Sequence, residues 1–200
     1  MKTKIHTYLV AALTFFMLVS CKKTLQDLIL DNNSNTNKYV EYFIAKDAHS
    51  SDKNGYKVIS TTEMKFAVKF DNSAMYQTID PWNQLDINKL YGFADNNMQH
   101  HEYSARIGWR WNNNQLELFG YVYNNGAVSE KYITAVPLNQ EITCSIKTET
   151  TNYRLTANGV SITMPRTAST EKAEGYQLYP YFGGDEKAPH DIKIQIKNLP

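Results

Sequence analysis

The clearest alternation of apolar and polar residues runs from Ser104 to Tyr123 and predicts a β-hairpin with two different faces. Side chains of a strand point alternately to its two sides, so every second residue shares a face. The apolar face collects Ala105, Ile107, Trp109 and Trp111 on the first arm, and Leu116, Leu118, Gly120 and Val122 on the second. The opposite face collects Ser104, Arg106, Gly108 and Arg110, and then Glu117, Phe119, Tyr121 and Tyr123.

The turn between the two arms determines which residues face one another. Residues 112–115 are polar and rich in asparagine, which is typical of a tight turn. Closing the hairpin over Asn113-Asn114 brings the two apolar faces together, with Trp109 opposite Leu118. The opposite face then holds two polar pairs, Arg110 with Glu117 and Arg106 with Tyr121. We expect the apolar face to lie in a core and the polar face to contact water.

Two interpretations of the polar face follow from its residue types. One is a solvated sheet whose cross-strand pairs contribute about 0.2–1 kcal/mol each. The other is a binding face, because rings stack on a ligand and guanidinium groups bind its oxygens. Under the second interpretation the candidate ligand-binding residues are Arg106, Arg110, Glu117, Tyr121 and Tyr123, with His101 and Tyr181 at the rim.

The remainder of the chain predicts short strands separated by turns. Further strands are expected at 39–45, 56–60, 63–71, 91–94, 129–136, 141–147, 152–157 and 160–164, with a last one through Ile192, Ile194 and Ile196. Asn158-Gly159 predicts a two-residue type I′ turn. Residues 166–175 are expected to form a polar loop. The pattern predicts an all-β fold, an antiparallel β-sandwich.

Composition supports this fold class and excludes one class of partner. The 200 residues include 14 tyrosines, and aromatic residues favour strands. There are 21 basic and 20 acidic residues, and the first 20 residues contain two lysines and no acid, so the rest carries 19 against 20. With no basic excess, we expect no nucleic-acid partner. We expect one domain over residues 39–200.

The N-terminal stretch predicts export. Lys2 and Lys4 precede an apolar run from Tyr8 to Val19, which is short for a membrane span and typical of a signal peptide. The run ends in Leu18-Val19-Ser20-Cys21, which resembles the lipobox of bacterial lipoproteins. The alternative is an ordinary secretory signal with an incidental cysteine.

The lipobox resemblance implies several further expectations. Residues 1–20 form the signal peptide, Cys21 carries the lipid, palmitate included, and residues 21–38 form a flexible tether. The partner is then the membrane, and the location is the cell envelope, on the outer membrane with its face left open. The second cysteine, Cys144, alternates with Ile142 and Ile146, so we expect a buried and inert thiol.

Three segments, 86–90, 104–111 and 179–185, are similar to uncharacterised lipoprotein domains of Bacteroidetes. The number of strands, the Tyr/Trp-rich sheet face and the last strand after a glycine-rich loop resemble the concanavalin A-like lectin/glucanase jelly roll. That resemblance implies a carbohydrate on the concave sheet face. It transfers no catalytic residue to this chain.

Two enzyme classes are weighed against binding alone. A glycosidase needs a pair of carboxylates, and Glu117 stands alone on its strand. A polysaccharide lyase needs a cation, a base and an acid, which Arg110, His101 and Tyr121 supply by type, as do Arg106, His100 and Tyr103. Jelly-roll alginate lyases are similar in fold, but we expect their Arg-Glu-Arg strand and their Gln-x-His motif to be missing here. Arg106 and Arg110 are present without the acid between them. The sequence therefore favours a glycan or cell-surface partner without catalysis; a lyase-like enzyme and an assembly lipoprotein are the alternatives.

No cofactor is predicted, and two metal sites were weighed. Asp185 and Asp191, near Gly183-Gly184, offer hard oxygen ligands for calcium, or else form a turn in which aspartate caps its own backbone. His100-His101-Glu102 offers zinc ligand types, but adjacent strand residues point in opposite directions.

Overall fold

A computed structural model describes residues 38–200. Within them, strands are β1 (Val40–Ile44), β2 (Val58–Thr61), β3 (Glu63–Phe70), β4 (Asn88–Ala94), β5 (Tyr103–Asn112), β6 (Gln115–Asn124), β7 (Ala127–Val136), β8 (Ile142–Thr148), β9 (Asn152–Ala157), β10 (Val160–Pro165), β11 (Ala173–Leu178) and β12 (Ile192–Leu199). Two short 3₁₀ segments, Asn72–Ala74 and Pro81–Leu85, lie between β3 and β4.

The strands form two six-stranded antiparallel sheets. The first sheet has the order β1-β12-β3-β8-β9-β10, and the second has the order β2-β11-β4-β5-β6-β7. The edge strand β7 exposes its first six residues, Ala127 to Tyr132, and the edge strand β10 ends at Pro165. The predicted all-β antiparallel sandwich is confirmed.

The two predicted hairpins form in the predicted registers. Asn113 and Asn114 both have positive φ, 50° and 59°, which is the backbone of a type I′ turn. The turn pairs β5 with β6 so that Trp109 faces Leu118, Arg110 faces Glu117 and Arg106 faces Tyr121. The hairpin of β9 and β10 turns at Asn158-Gly159 and pairs Tyr153 with Met164.

The core lies between the two sheets and takes the apolar face of the β5–β6 hairpin. Trp109 and Leu118 are fully buried there, and Trp111 is partly buried against the same core. Cys144 on β8 is a free, fully buried cysteine, as expected. Burial raises the pKa of its thiol, which keeps the sulfur protonated and unreactive.

One predicted loop is a strand. Residues 166–175 were expected to form a polar loop, but Ala173 to Gly175 begin β11 and pair with Thr61 to Ile59 of β2. The strand is needed between β2 and β4, since Gln177 and Leu178 further along pair with β4. Ala173 is fully buried, so it contributes to the core in spite of its polar neighbours.

The structure does not describe the N-terminal residues for which a signal peptide, a lipid anchor and a tether are expected. The signal peptide (1–20), the lipid on Cys21 and the tether as far as residue 37 lie outside the described residues. Within residues 38–200, helices of sufficient length and hydropathy to cross a bilayer are absent.

A fully buried ion pair joins the two sheets at one end. Arg166 donates from Nε to Oδ2 of Asp95 at 2.8 Å and from Nη2 to Oδ1 at 3.2 Å. The hydroxyl of Tyr153 donates to the same carboxylate at 2.6 Å. The side chains of Arg166 and Asp95 are 1% and 0% exposed, so each charge depends on the other for solvation.

We therefore expect Asp95→Asn to lower the free energy of unfolding by about 3–5 kcal/mol, because it leaves Arg166 buried without a counter-charge. Glu149→Gln is the matched control, since it breaks the half-exposed pair of Glu149 with Arg154 and should cost less than about 1 kcal/mol. Urea unfolding of the two variants measures both values. Equal costs would contradict the structural role of the buried pair.

Candidate functional site

A cavity of about 570 Å³ opens on the outer face of the second sheet, and we call it the sheet cavity. Strands β4, β5, β6 and β11 form its floor, and loops at 50–56, 100–101 and 179–184 form its walls. The charged, histidine and tyrosine side chains that line it are Lys89, His100, His101, Arg106, Tyr56, Tyr121, Tyr123, Tyr176, Tyr179 and Tyr181.

The outer face of the β5–β6 hairpin is less open to water than the alternation predicted. Arg106 is 6% exposed and Phe119 is 5% exposed. The segment after the second 3₁₀ segment crosses this face, since a Cβ on Gly108 would lie 2.4 Å from Cγ2 of Ile87. Only glycine permits this approach, and it leaves the Arg106 end as the open part of the face.

Arg110 and Glu117 form an ion pair with each other, and their binding of a ligand stays a prediction. Nε of Arg110 donates to Oε2 of Glu117 at 2.6 Å, and Nη1 donates to the carbonyl of Leu85 at 3.0 Å. The guanidinium also lies 4.7 Å from the centre of the Phe119 ring. Neither Arg110 nor Glu117 lines the sheet cavity. An ion pair that closes the covered end of the hairpin is their observed role.

The other five candidates, Arg106, Tyr121, Tyr123, His101 and Tyr181, line one cavity. They come from β5, β6 and two distant loops, so the fold brings together residues that the sequence could name but not place. Their binding of a ligand remains a prediction.

Arg106 lies on the floor of the cavity. Its carbon Cζ lies 5.7 Å from the centre of the Tyr121 ring, and its buried Nε has no hydrogen-bond partner. Burial lowers the pKa of Arg106, whereas nearby tyrosines, Tyr121 first, favour its charged form. Gly92 faces Arg106 on β4, and a Cβ at Gly92 would lie 2.9 Å from Cγ of Arg106. The nearest atom would be the carbonyl oxygen of Ala105 at 2.1 Å, so the glycine allows the backbones of β4 and β5 to approach closely beside Arg106.

Lys89 is a second cation in the cavity and was not among the predicted residues. The strand β4 begins at Asn88, earlier than expected, and this places Lys89 beside the hairpin. Its Nζ lies 4.6 Å from the centre of the Tyr121 ring. Burial, followed by the charge of Arg106, lowers the pKa of Lys89 to about 8. The sequence feature that could have pointed to Lys89 is its position in segment 86–90, which is similar to lipoprotein domains of Bacteroidetes.

Contacts among the rings hold the aromatic walls in place. Tyr181 stacks on His49 with ring centres 5.2 Å apart, and Nδ1 of His49 is 2.8 Å from the carbonyl oxygen of Phe182. The hydroxyl of Tyr176 is 2.9 Å from Nδ1 of His100. His101 lies 5.4 Å from Tyr123, ring centre to ring centre. These walls are therefore positioned before any ligand binds.

The chemistry of the lining separates two enzyme classes. No aspartate or glutamate is among the residues that line the sheet cavity, so the carboxylate pair of a glycosidase is not present in it. The Gln-x-His order that the sequence was expected to lack is present as Gln99-His100-His101, so that expectation is wrong. In this structure the three residues lie before β5, in and next to a turn.

Of the oxygen ligands considered for calcium, Asp191 has another partner. Oδ1 of Asp191 accepts a hydrogen bond from the backbone of Lys46 at 2.8 Å. Glu186, next to Asp185, accepts from the backbones of Ile79 and Asp80, each at 2.8 Å. Within residues 38–200 there is no group of three or more His, Cys, Asp or Glu side chains arranged to hold a metal ion.

Comparison with known proteins identifies the fold. No protein-family model matches the chain, and no curated protein matches it. Among solved structures, the alginate lyase AlyC3 is similar with a TM-score of 0.55 and 8% identity, over 80% of this chain and 74% of that one. The catalytic domain of an endo-1,3-beta-glucanase (laminarinase) from Thermotoga petrophila has a TM-score of 0.51 and 11% identity, over 81% and 76%. The fold is a concanavalin A-like jelly roll. The sheet cavity lies on the outer face of one of its two sheets.

The environment of His100 predicts how the free energy of unfolding depends on pH. Burial and the charges of Arg106 and His101 lower the pKa of His100 to about 4. The unfolded chain binds a proton at this residue below about pH 6.5, whereas the folded protein does not until about pH 4. The free energy of unfolding should therefore fall as the pH is lowered from about 7 to about 5, and less steeply in His100→Asn. Urea unfolding at both pH values measures the two slopes; equal slopes would contradict a neutral His100.

Proposed function

We propose that the protein binds a carbohydrate in the sheet cavity, without catalysis, while a lipid on Cys21 holds it at the outer membrane. The observation that carries the binding proposal is the lining of the cavity. Six tyrosines surround polar and cationic groups at the floor, in a volume typical of small-ligand sites. Aromatic rings pack on the apolar faces of sugars, and hydroxyl, amide and imidazole groups bond their hydroxyls.

The aromatic walls of the sheet cavity are already in place without a ligand, which also supports the binding proposal. Tyr181 is 39% exposed and rests on His49, so a sugar ring can pack on its free side without fixing a mobile side chain. Ordering side chains on binding lowers affinity, and a wall that is already in place avoids that loss. The names of the two similar structures, an alginate lyase and a laminarinase, agree with a carbohydrate as the ligand.

A glycan array probed with the full-length protein tests this proposal, and the bound glycan is then titrated by calorimetry. We expect Tyr181→Ala to weaken binding by about tenfold, because it removes a stacking surface. Tyr132→Ala is the matched control: Tyr132 is a half-exposed tyrosine of the same sheet, on β7 and outside the cavity. Its affinity should stay within about twofold of the wild type. An equal effect of both substitutions would place the ligand elsewhere.

The location at the outer membrane is proposed from the N-terminal sequence. Two lysines, an apolar run and Leu18-Val19-Ser20-Cys21 follow in the order of a lipoprotein signal. Acyl chains on one cysteine anchor a protein stably once two or more are present.

Metabolic labelling with an alkyne analogue of palmitate tests the anchor. The wild-type protein should be labelled and should sediment with the membrane fraction, whereas Cys21→Ser should lose the label and become soluble. Cys144→Ser is the control, because Cys144 is fully buried and should not affect labelling. A labelled Cys21→Ser protein would refute lipidation at this position.

A lyase is the second candidate, favoured by one observation: His101, Arg106 and Tyr121 share the sheet cavity. Lyase chemistry removes a proton beside the carboxylate of a uronate, breaks the bond to the glycosidic oxygen and returns a proton to that oxygen. Burial raises the pKa of Tyr121, so this tyrosine would donate the proton, His101 would accept one and Arg106 would stabilise the carboxylate. Ultraviolet absorbance of unsaturated uronate ends separates this candidate from binding alone.

A further inference from the structure

The chain has four arginines, and three of them form ion pairs with carboxylates. Arg166 binds Asp95, Arg110 binds Glu117, and Arg154 binds Glu149, all through N–O distances of 2.6–2.8 Å. Arg106 has no carboxylate of residues 38–200 within ion-pair distance, although it is only 6% exposed. Among residues 38–200, Arg106 is therefore a buried guanidinium without a counter-charge, whereas the other three arginines are paired.

The surroundings of Arg106 offset the loss of water only in part. The Tyr121 ring attracts the guanidinium, but a ring face supplies less than a carboxylate with hydrogen bonds. The buried Nε–H has no acceptor. Burying a charge and a donor without partners destabilises a fold, so such a group is uncommon unless something else binds it. The open side of Arg106 is the sheet cavity.

Lys89 adds a second positive group to the same cavity. Its amine and the Arg106 guanidinium both lie near the Tyr121 ring, on adjacent strands. Asp86 and Glu130 act on Lys89 and raise its pKa, but burial and the charge of Arg106 outweigh them. Because neither carboxylate lines the cavity, both cations face a space that contains no negative side chain.

We infer that the carbohydrate of the sheet cavity is acidic, and that Arg106 binds its oxyanion, a carboxylate or a sulfate ester, with Lys89 as the second cation. The inference rests on the proposed carbohydrate function and names its ligand class. An oxyanion supplies the counter-charge that Arg106 lacks, and a guanidinium binds two of its oxygens at once. Neutral polymers supply hydroxyl groups only, so they leave both charges without a counter-charge.

Calorimetric titration of the full-length protein tests this assignment with three kinds of polymer. Alginate and polygalacturonate carry carboxylates, dextran sulfate carries sulfates, and laminarin and dextran are neutral. We expect an acidic polymer to bind and the neutral ones not to bind. Arg106→Met should weaken binding by about 100-fold or more, because it removes one partner of a buried charge pair. Arg154→Met, the same change on the other sheet, should leave the affinity within about twofold.

Thermal melting separates a ligand-binding role of Arg106 from a structural one. Replacing an unpaired buried cation by an apolar chain of similar length should leave the melting temperature of the free protein unchanged or raise it. Sodium glucuronate and sodium sulfate should raise the melting temperature of the wild type more than that of Arg106→Met, because sulfate also stabilises folded proteins without a specific site. Should Arg106→Met fail to fold, Arg106→Lys, which keeps the charge and loses the fork, replaces it and should bind with reduced affinity.

The outcomes distinguish this inference from the function on which it rests. Equal binding of laminarin or dextran by wild type and Arg106→Met would overturn the acidic ligand and leave carbohydrate binding standing. Absence of binding to every polymer, together with Arg106-dependent stabilisation by the small anions, would reject the carbohydrate function and support the oxyanion site. Absence of both effects would overturn the inference.

Discussion

The two-residue turn at Asn113-Asn114 constrains the whole second sheet, because it determines which side of the central hairpin is apolar. Trp109 enters the space between the sheets and contacts Phe70 and Tyr76, with ring centres 5.4 and 5.8 Å away. Arg106 on the same strand must then lie on the opposite face. A shift of register by one residue would exchange the faces, moving an indole into water and a guanidinium into the core.

Two arginines of one strand face therefore receive different environments from the rest of the fold. At the covered end, Arg110 donates to Glu117 and to the carbonyl of Leu85, so its charge is already paired. At the open end, Arg106 keeps a donor without an acceptor. The first arrangement favours stability, and the second sacrifices some stability to hold a charge in place. Such local loss of stability is common where a protein binds something.

Sequence patterns predicted the parts of this arrangement that are local. Pairing of Trp109 with Leu118 follows from alternation and an asparagine turn, both of which lie within one hairpin. Lys89 could not be placed in the same way, because its strand joins the hairpin only through pairing across the sheet. Likewise, nothing in the alternation distinguishes Arg106 from Arg110. Their difference arises from the segment around Ile87, whose path over Gly108 is a tertiary feature.

The β11 strand is a second element that local sequence patterns could not predict. Its first residues, Ala173 to Gly175, have the composition of a loop, and they become a strand because β2 offers unpaired backbone groups. Tyr176 follows directly and is carried into the cavity wall by that pairing. One wall of the cavity thus depends on an element that a local pattern could not reveal.

The borders of the two sheets determine how copies of the molecule behave beside one another. Strand β7 exposes Glu130 and Lys131 along its outer edge, and β10 stops at Pro165. Charged side chains and proline hinder the addition of a strand from another chain. At β7 and β10, two of the four edge strands, a neighbouring copy is thus hindered from extending either sheet into a continuous fibre.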